Sequence, residues 1–221
     1  MLTPRFKRIT GLTLSLLGTM IFSWSSVFSA NMIIKDVPAT NQYYSQISDA
    51  ITQNWMGVAA GKFYPDKNIT RGEFALILSK FDNDIATIKS VKKSSFTDVD
   101  SKEQYISYIE AEKAYIPYFK VKNGFSFKPK TFITREDAAT AIVRAMGYDT
   151  QAAMDSVVES EVSIEDLIDD SNKVSSALKR YVSLAVANEL INIREDGTNK
   201  YFDPKSFITL YWSFIDGYKT S

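Results

Sequence analysis

Two arginines sit in the same local setting. Arg71 follows Ile69-Thr70 and Arg135 follows Ile133-Thr134, and each opens a stretch of helical periodicity. A guanidinium at the first position of a helix can grip a carboxylate with two parallel N–H bonds, beside backbone donors and the positive end of the helix. It can equally form an ordinary ion pair at a helix start, and the residues alone leave both readings open. Histidine and cysteine are absent, which removes the commonest general base and the most frequent soft metal ligand. Catalysis would have to rest on carboxylates, Lys, Tyr or Ser, and no pair of them stands out, so the chain is read as non-enzymatic with no catalytic residues. Asp98, Asp100 and Glu110 approach the spacing of a calcium loop, but Glu103 occupies the position where the tight turn requires Gly. No metal and no cofactor are expected.

The elements that must position these arginines are repeated. Phe63-Tyr-Pro-Asp-Lys-Asn-Ile69-Thr70, Phe127-Lys-Pro-Lys-Thr-Phe-Ile133-Thr134 and Phe202-Asp-Pro-Lys-Ser-Phe-Ile208-Thr209 keep Phe, Pro, Ile and Thr at identical offsets. Separations of about 64 and 75 residues mark repeated supersecondary units. Thr70-Arg71-Gly72-Glu73 has the spacing of a capping box, and Thr134-Arg135-Glu136-Asp137 keeps it with a shorter acid. Phe74, Ile77, Leu78 and Phe81, then Ala138, Ala141, Ile142 and Ala145, mark the inward faces of the helices that follow. A second helical pattern precedes each phrase, clearest in Val174, Ala177, Leu178, Tyr181, Ala185 and Val186. Each unit therefore reads as helix, loop, helix. Proline ends the first helix in the loop, and the phrase phenylalanine folds back onto the helix pair.

Arg5, Lys7 and Arg8, an apolar run from Ile9 to Phe22 and a small, polar stretch to Ala30 have the layout of a secretory signal. Cleavage after Ser29 suits the small-residue positions better than cleavage after Ala30. The apolar run is short of the roughly 20 residues that span a bilayer, so the membrane enters only through the signal before cleavage. Lys plus Arg and Asp plus Glu both count 26; without the signal the balance is about −3, which excludes a nucleic-acid partner. The segmentation is signal peptide 1–29, first repeat 30–82, linker 83–95, second repeat 96–148, acidic linker 149–165 and a degenerate third repeat 166–221.

These residues resemble the S-layer homology domain family, in which an aromatic-x-Asp opening, a first helix, a Phe-x-Pro turn and Ile-Thr-Arg-x-Glu follow one another. The openings correspond to Ile34-Lys35-Asp36-Val37, Phe96-Thr97-Asp98-Val99 and a worn Ile168-Asp169-Asp170. The resemblance implies a mainly α fold of three helix-loop-helix repeats in a pseudo-threefold bundle. It also implies non-catalytic anchoring, as a secreted protein at the bacterial cell wall and surface, through an anionic, commonly pyruvylated, secondary cell-wall polysaccharide or another wall glycan. The residues it assigns to the glycan are Arg71, Arg135, Asp36, Asp98, Tyr44, Tyr105 and Glu73. Tyr43 or Tyr44, Tyr105 and Tyr181 stand where the family usually has Trp, and Asp36 and Asp98 have helix capping as their competing role. Leu210, Tyr211 and Trp212 replace the arginine signature in the third unit, leaving at most two arginine sites. The competing reading is an envelope adaptor in which the degenerate repeats, through aromatics such as Tyr211 and Trp212, dock a protein partner.

Overall fold

A computed structural model describes residues 34–52, 56–81, 88–149 and 163–211. The signal segment, Trp55, Trp212, the start of the first linker and most of the second lie outside the described residues. In chain order the elements are α1 (Tyr44–Thr52), α2 (Arg71–Phe81), α3 (Ile106–Glu112), β1 (Phe119–Val121), β2 (Gly124–Ser126), α4 (Arg135–Ala145), α5 (Ile164–Leu167), α6 (Lys179–Ala187), β3 (Arg194–Asp196) and β4 (Asn199–Tyr201). Short 3-10 turns at Ser171–Lys173 and Ser176–Leu178 lead into α6. Among the described residues helix is the main regular structure.

The capping box forms in the first unit. Thr70 Oγ1 accepts from the Glu73 amide at 3.2 Å, and Glu73 Oε2 accepts from the Thr70 amide at 2.8 Å. In the second unit Thr134 Oγ1 accepts from the Asp137 amide at 3.3 Å. The shorter carboxylate of Asp137 is instead engaged with Arg71 of the unit before.

The segments between the paired helices are more ordered than the simple loops expected. In the second unit β1 and β2 pair antiparallel through a two-residue turn, Lys122-Asn123; in the third β3 and β4 do the same through Gly197-Thr198. Gly197 takes φ 63°, the left-handed geometry that a tight hairpin turn demands. The first unit keeps one bridge, Ala59 to Lys62.

Phe63, Phe127 and Phe202 and the isoleucines Ile69, Ile133 and Ile208 are all buried, as their fixed places in the turn anticipated. Ile69 N–H donates to Ile208 C=O at 3.1 Å, Ile208 N–H to Ile133 C=O at 3.2 Å, and Ile133 N–H to Ile69 C=O at 3.1 Å. Three strands of sequence far apart in the chain thus close a ring of hydrogen bonds.

The helix starts close a second cycle whose donors run in the opposite sense. Arg71 and Gly72 amides donate to Thr131 and Pro129 carbonyls, those of Arg135 and Glu136 to Ser206 and Pro204, and those of Leu210 and Tyr211 to Lys67 and Pro65. Donors that a helix start leaves unpaired are satisfied here by the neighbouring phrase.

The apolar core falls into two clusters that share α4. Ala138, Ala141 and Ala145 join the cluster built from α1, α2 and α3, while Ala139 and Val143 join Val174, Val182, Ala185 and Leu190 of the third unit. A helix buried on opposite faces must be apolar nearly all round. Alanine at four of these positions lets neighbours approach from both sides, so the inward face read from the sequence is only half of what α4 buries.

Candidate functional site

Arg71 is 1% exposed. Its Nε donates to Phe127 C=O at 2.7 Å, Nη1 to Asp137 Oδ2 at 2.7 Å, and Nη2 to Pro117 C=O. The guanidinium also lies over the Phe119 and Phe127 rings, 5.1 Å from each centroid. Burial draws its pKa below the ordinary arginine value, with the charges of Asp137 and Asp98 pulling the other way. Burial raises Asp137 in turn, against the guanidinium.

Arg135 repeats the geometry one unit on. Nε donates to Phe202 C=O at 2.6 Å, Nη2 to Asn192 C=O at 2.5 Å, and the guanidinium lies 5.1 Å from the Phe202 centroid. Pro117 and Asn192 are each ten residues before their phrase phenylalanine, so the two arginines grip equivalent backbone.

Arg71 and Arg135 thus place these hydrogen bonds within the fold. Both point into the seam between units, and the helix-start amides beside them are already bonded to carbonyls. An incoming anion would have to displace buried hydrogen bonds, each costly to leave unmade.

Asp36 and Asp98 do not cap the first helix. Asp36 accepts from the Phe63 and Tyr64 amides, both at 2.8 Å; Asp98 accepts from Phe127 and Lys128 amides at 2.8 Å and from Ser126 Oγ at 2.7 Å. They clamp the start of the phrase, not the first helix, and at α1 it is Asn41 Oδ1 that accepts from the Tyr43 amide. Asp170 does the same with the Phe202 and Asp203 amides, at 2.8 and 2.9 Å. The clamp holds Tyr64, Lys128 and Asp203 at φ 58°, 59° and 55°, a region costly for side-chain-bearing residues. Burial alone would raise the Asp36 and Asp98 carboxyls, but the amides, with Ser126 for Asp98, hold both below the usual range.

The remaining candidates gather in part. Tyr105 is half-buried and its ring lies over Gly72, where an added Cβ would come within 2.7 Å of Tyr105 Cδ2. Glycine is required there for that close approach. Burial, and then the charge of Glu73, raise the Tyr105 hydroxyl. Burial would also raise Glu73, yet the Thr70 amide and Lys67, whose Nζ lies 2.9 Å away, bring it below the usual range. Glu73 is thus an ionised acceptor rather than a proton donor at neutral pH. Tyr105, Glu73 and Lys67 bring a phenol, a carboxylate and an ammonium within electrostatic reach of one another, a set that suits sugar hydroxyls. Tyr44 lies apart at the start of α1, half-buried against the first core cluster.

The position held by Gly72 diverges in the other units. Glu136 stands there in the second, buried, accepting from the Ser175 amide at 2.9 Å, Ser175 Oγ at 2.8 Å and Lys205 Nζ at 2.5 Å. Sequence reasoning missed this cluster, and only the long gap from Glu136 to Ser175 and Lys205 would have connected it. In the third unit Tyr211 meets Tyr43 edge-on, centroids 5.2 Å apart, and is half-buried. Trp212 lies outside the described residues. No group of three or more acidic residues among the described residues is placed to hold a metal ion.

The family model that matches is the S-layer homology domain, over residues 34–75 and 95–139. Two segments of this chain are S-layer homology matches. Each runs from just before an aspartate clamp into the helix that its phrase starts, so the matched spans follow the structural units. A surface layer protein of Brevibacillus choshinensis is 32% identical over 97 residues, 42% of this chain and 8% of that protein. A middle cell wall protein of Brevibacillus brevis is 32% identical over 97 residues, covering 42% of this chain and 9% of that relative. The chain thus spans less than a tenth of either relative's length. The third segment lies beyond the two matched spans, although its aspartate clamp and its arginine-gripped phenylalanine follow the geometry of the second.

Proposed function

We propose that this chain is an exported, non-catalytic cell-wall anchoring module of three S-layer homology-like units arranged about a pseudo-threefold axis. Its ligand is an anionic wall glycan, a secondary cell-wall polysaccharide or a peptidoglycan-linked chain. The observation that carries this reading is the pair of S-layer homology matches, each falling on one structural unit. The favoured contact region is the half-buried Tyr105 and Glu73 with exposed Lys67, where the first unit meets the second beside Gly72. Arg71, Arg135, Asp36 and Asp98 serve it by fixing the seams and turns.

The test is sedimentation of the purified chain with cell-wall sacculi before and after mild acid removes their polysaccharide. Binding is expected to fall at least tenfold on removal. Equal binding to both preparations would take the glycan out of the account.

A further inference from the structure

Between positions 113 and 134 the chain carries five lysines and no Asp or Glu. Lys113, Lys120, Lys122, Lys128 and Lys130 are all exposed. They surround the β1–β2 hairpin, which also exposes Tyr118, Phe119, Val121 and Phe125, four of the seven large apolar side chains exposed among the described residues. Opposite charges on these lysines are scarce: among the described residues Lys113 pairs with Glu110, while Lys120, Lys122 and Lys130 make no ion pair.

The two faces of the hairpin differ. Side chains alternate along a strand, so Phe119 and Val121 share one face, and there Arg71 and Lys128 already cover Phe119, the Lys128 ammonium at 4.1 Å from its centroid. The other face carries Lys120 with its cross-strand partner Phe125, and Tyr118, whose ring meets Phe125 edge-on at 5.1 Å. That face is an aromatic pair, 45% and 43% exposed, flanked by unpaired ammonium groups.

We infer that the Tyr118–Lys120–Phe125 face is a docking surface for an anionic polysaccharide, a chain of sugar rings bearing carboxylates. Aromatic rings take the apolar C–H face of a sugar, and lysines at strand spacing meet carboxylates along the chain. The tip of the hairpin, Lys122-Asn123-Gly124, is polar, so the aromatics flank the hairpin and do not cap it; this shape suits an extended polymer in water better than insertion into a bilayer. The equivalent hairpin in the third unit is an internal control. Around it Arg194, Glu195, Asp196, Lys200, Asp203 and Lys205 balance to zero, and Arg194 is paired with Asp203 at 3.1 Å. This face shares no residue with the Tyr105, Glu73 and Lys67 set and takes only the class of ligand from the wall-anchoring reading.

The experiment measures binding of the purified chain to polygalacturonate, with neutral dextran, polyphosphate and vesicles containing phosphatidylglycerol as parallel probes. Lys120→Glu with Lys122→Glu is expected to weaken polygalacturonate binding at least tenfold, while Lys200→Glu in the third hairpin changes it less than twofold. Phe125→Ser, which keeps the charge, is expected to weaken polygalacturonate several-fold and leave polyphosphate unchanged. Unchanged urea midpoints certify that the variants are folded. Loss of polyphosphate and polygalacturonate binding to equal extents in Phe125→Ser, or no loss of polygalacturonate binding in the double lysine variant, overturns the inference. So does Phe125-dependent binding to vesicles without binding to polygalacturonate. Sacculus binding that persists in the double lysine variant leaves the wall-anchoring reading standing while the hairpin assignment falls.

Discussion

The seam between the first and second units and the seam between the third and first solve the same problem with opposite chemistry. At the first, Arg71 leaves its own helix to bond two carbonyls and Asp137 of the next unit. At the last, Leu210 holds the arginine position, packs against the first core cluster, and its neighbour Tyr211 meets Tyr43. The backbone links are alike in both, since Leu210 and Tyr211 amides still reach Lys67 and Pro65. The glutamate at the Asp137 position, Glu73, has no arginine facing it and folds back on Thr70 and Lys67. The geometry of the ring therefore resides in the backbone, and the arginine is one of at least two ways to fill the space behind it.

That comparison is most open to challenge at the ion pair. Arg71→Ala strands a buried carboxylate and two carbonyls, and should cost about 3–5 kcal/mol in urea unfolding. Converting the seam to the chemistry of the third, by Arg71→Leu with Asp137→Ala, should recover half or more of that loss. A double variant as unstable as the single one would mean that the guanidinium does more than balance Asp137. Next in size are the clamps: Asp98→Ala and Asp170→Ala should each lose about 2–3 kcal/mol by unpairing amide donors. Similar losses would equate the third unit with the second; a negligible loss at Asp170 would separate them.

The capping pair gives a smaller contrast. Thr70→Ala should cost about 1 kcal/mol and Thr134→Ala somewhat less, because only the first has a reciprocal acid; unfolding midpoints measured side by side check the order. The finest probe is pH. Burial would raise Glu110, but bonds from Ser94, the Ser95 amide and Lys113 hold it at about 2. A carboxyl lowered in the folded state adds stability above its unfolded pKa of about 4.5 and loses it as pH falls toward 2. Glu110→Gln should flatten the stability curve across that interval, seen as a smaller drop in thermal midpoint on acidification. A curve of unchanged slope would assign the acid sensitivity to Asp98 and Asp36 instead.

Much of the architecture was readable because local chemistry and position coincide. A phrase with Phe, Pro, Ile and Thr at fixed offsets leaves few conformations that bury Phe and Ile while capping a helix, and all three copies do so. What was not readable is direction. A repeat gives no sign of which unit a side chain belongs to in space, so Arg71 and Arg135 read equally as ligand contacts or as ion pairs at their own helix starts, with no hint that they cross to the following unit. Asp170 looked worn because its neighbours changed, yet its two oxygens face the same two amides as those of Asp98. The hairpins escaped because three-residue strands carry too little alternation to rise above a loop, although Gly197 in its turn was a usable signal.

A ring of hydrogen bonds has no end strand. Ile69 must receive Ile208 across almost the whole length of the folded chain, so neither of the first two units is complete until the last phrase has arrived. A chain truncated ahead of residue 163 would expose the Ile69 amide and the Ile133 carbonyl as an open pair of docking points. The third phrase of an intact copy offers the same carbonyl and amide as the lost one, which makes the opening a route to domain-swapped assemblies.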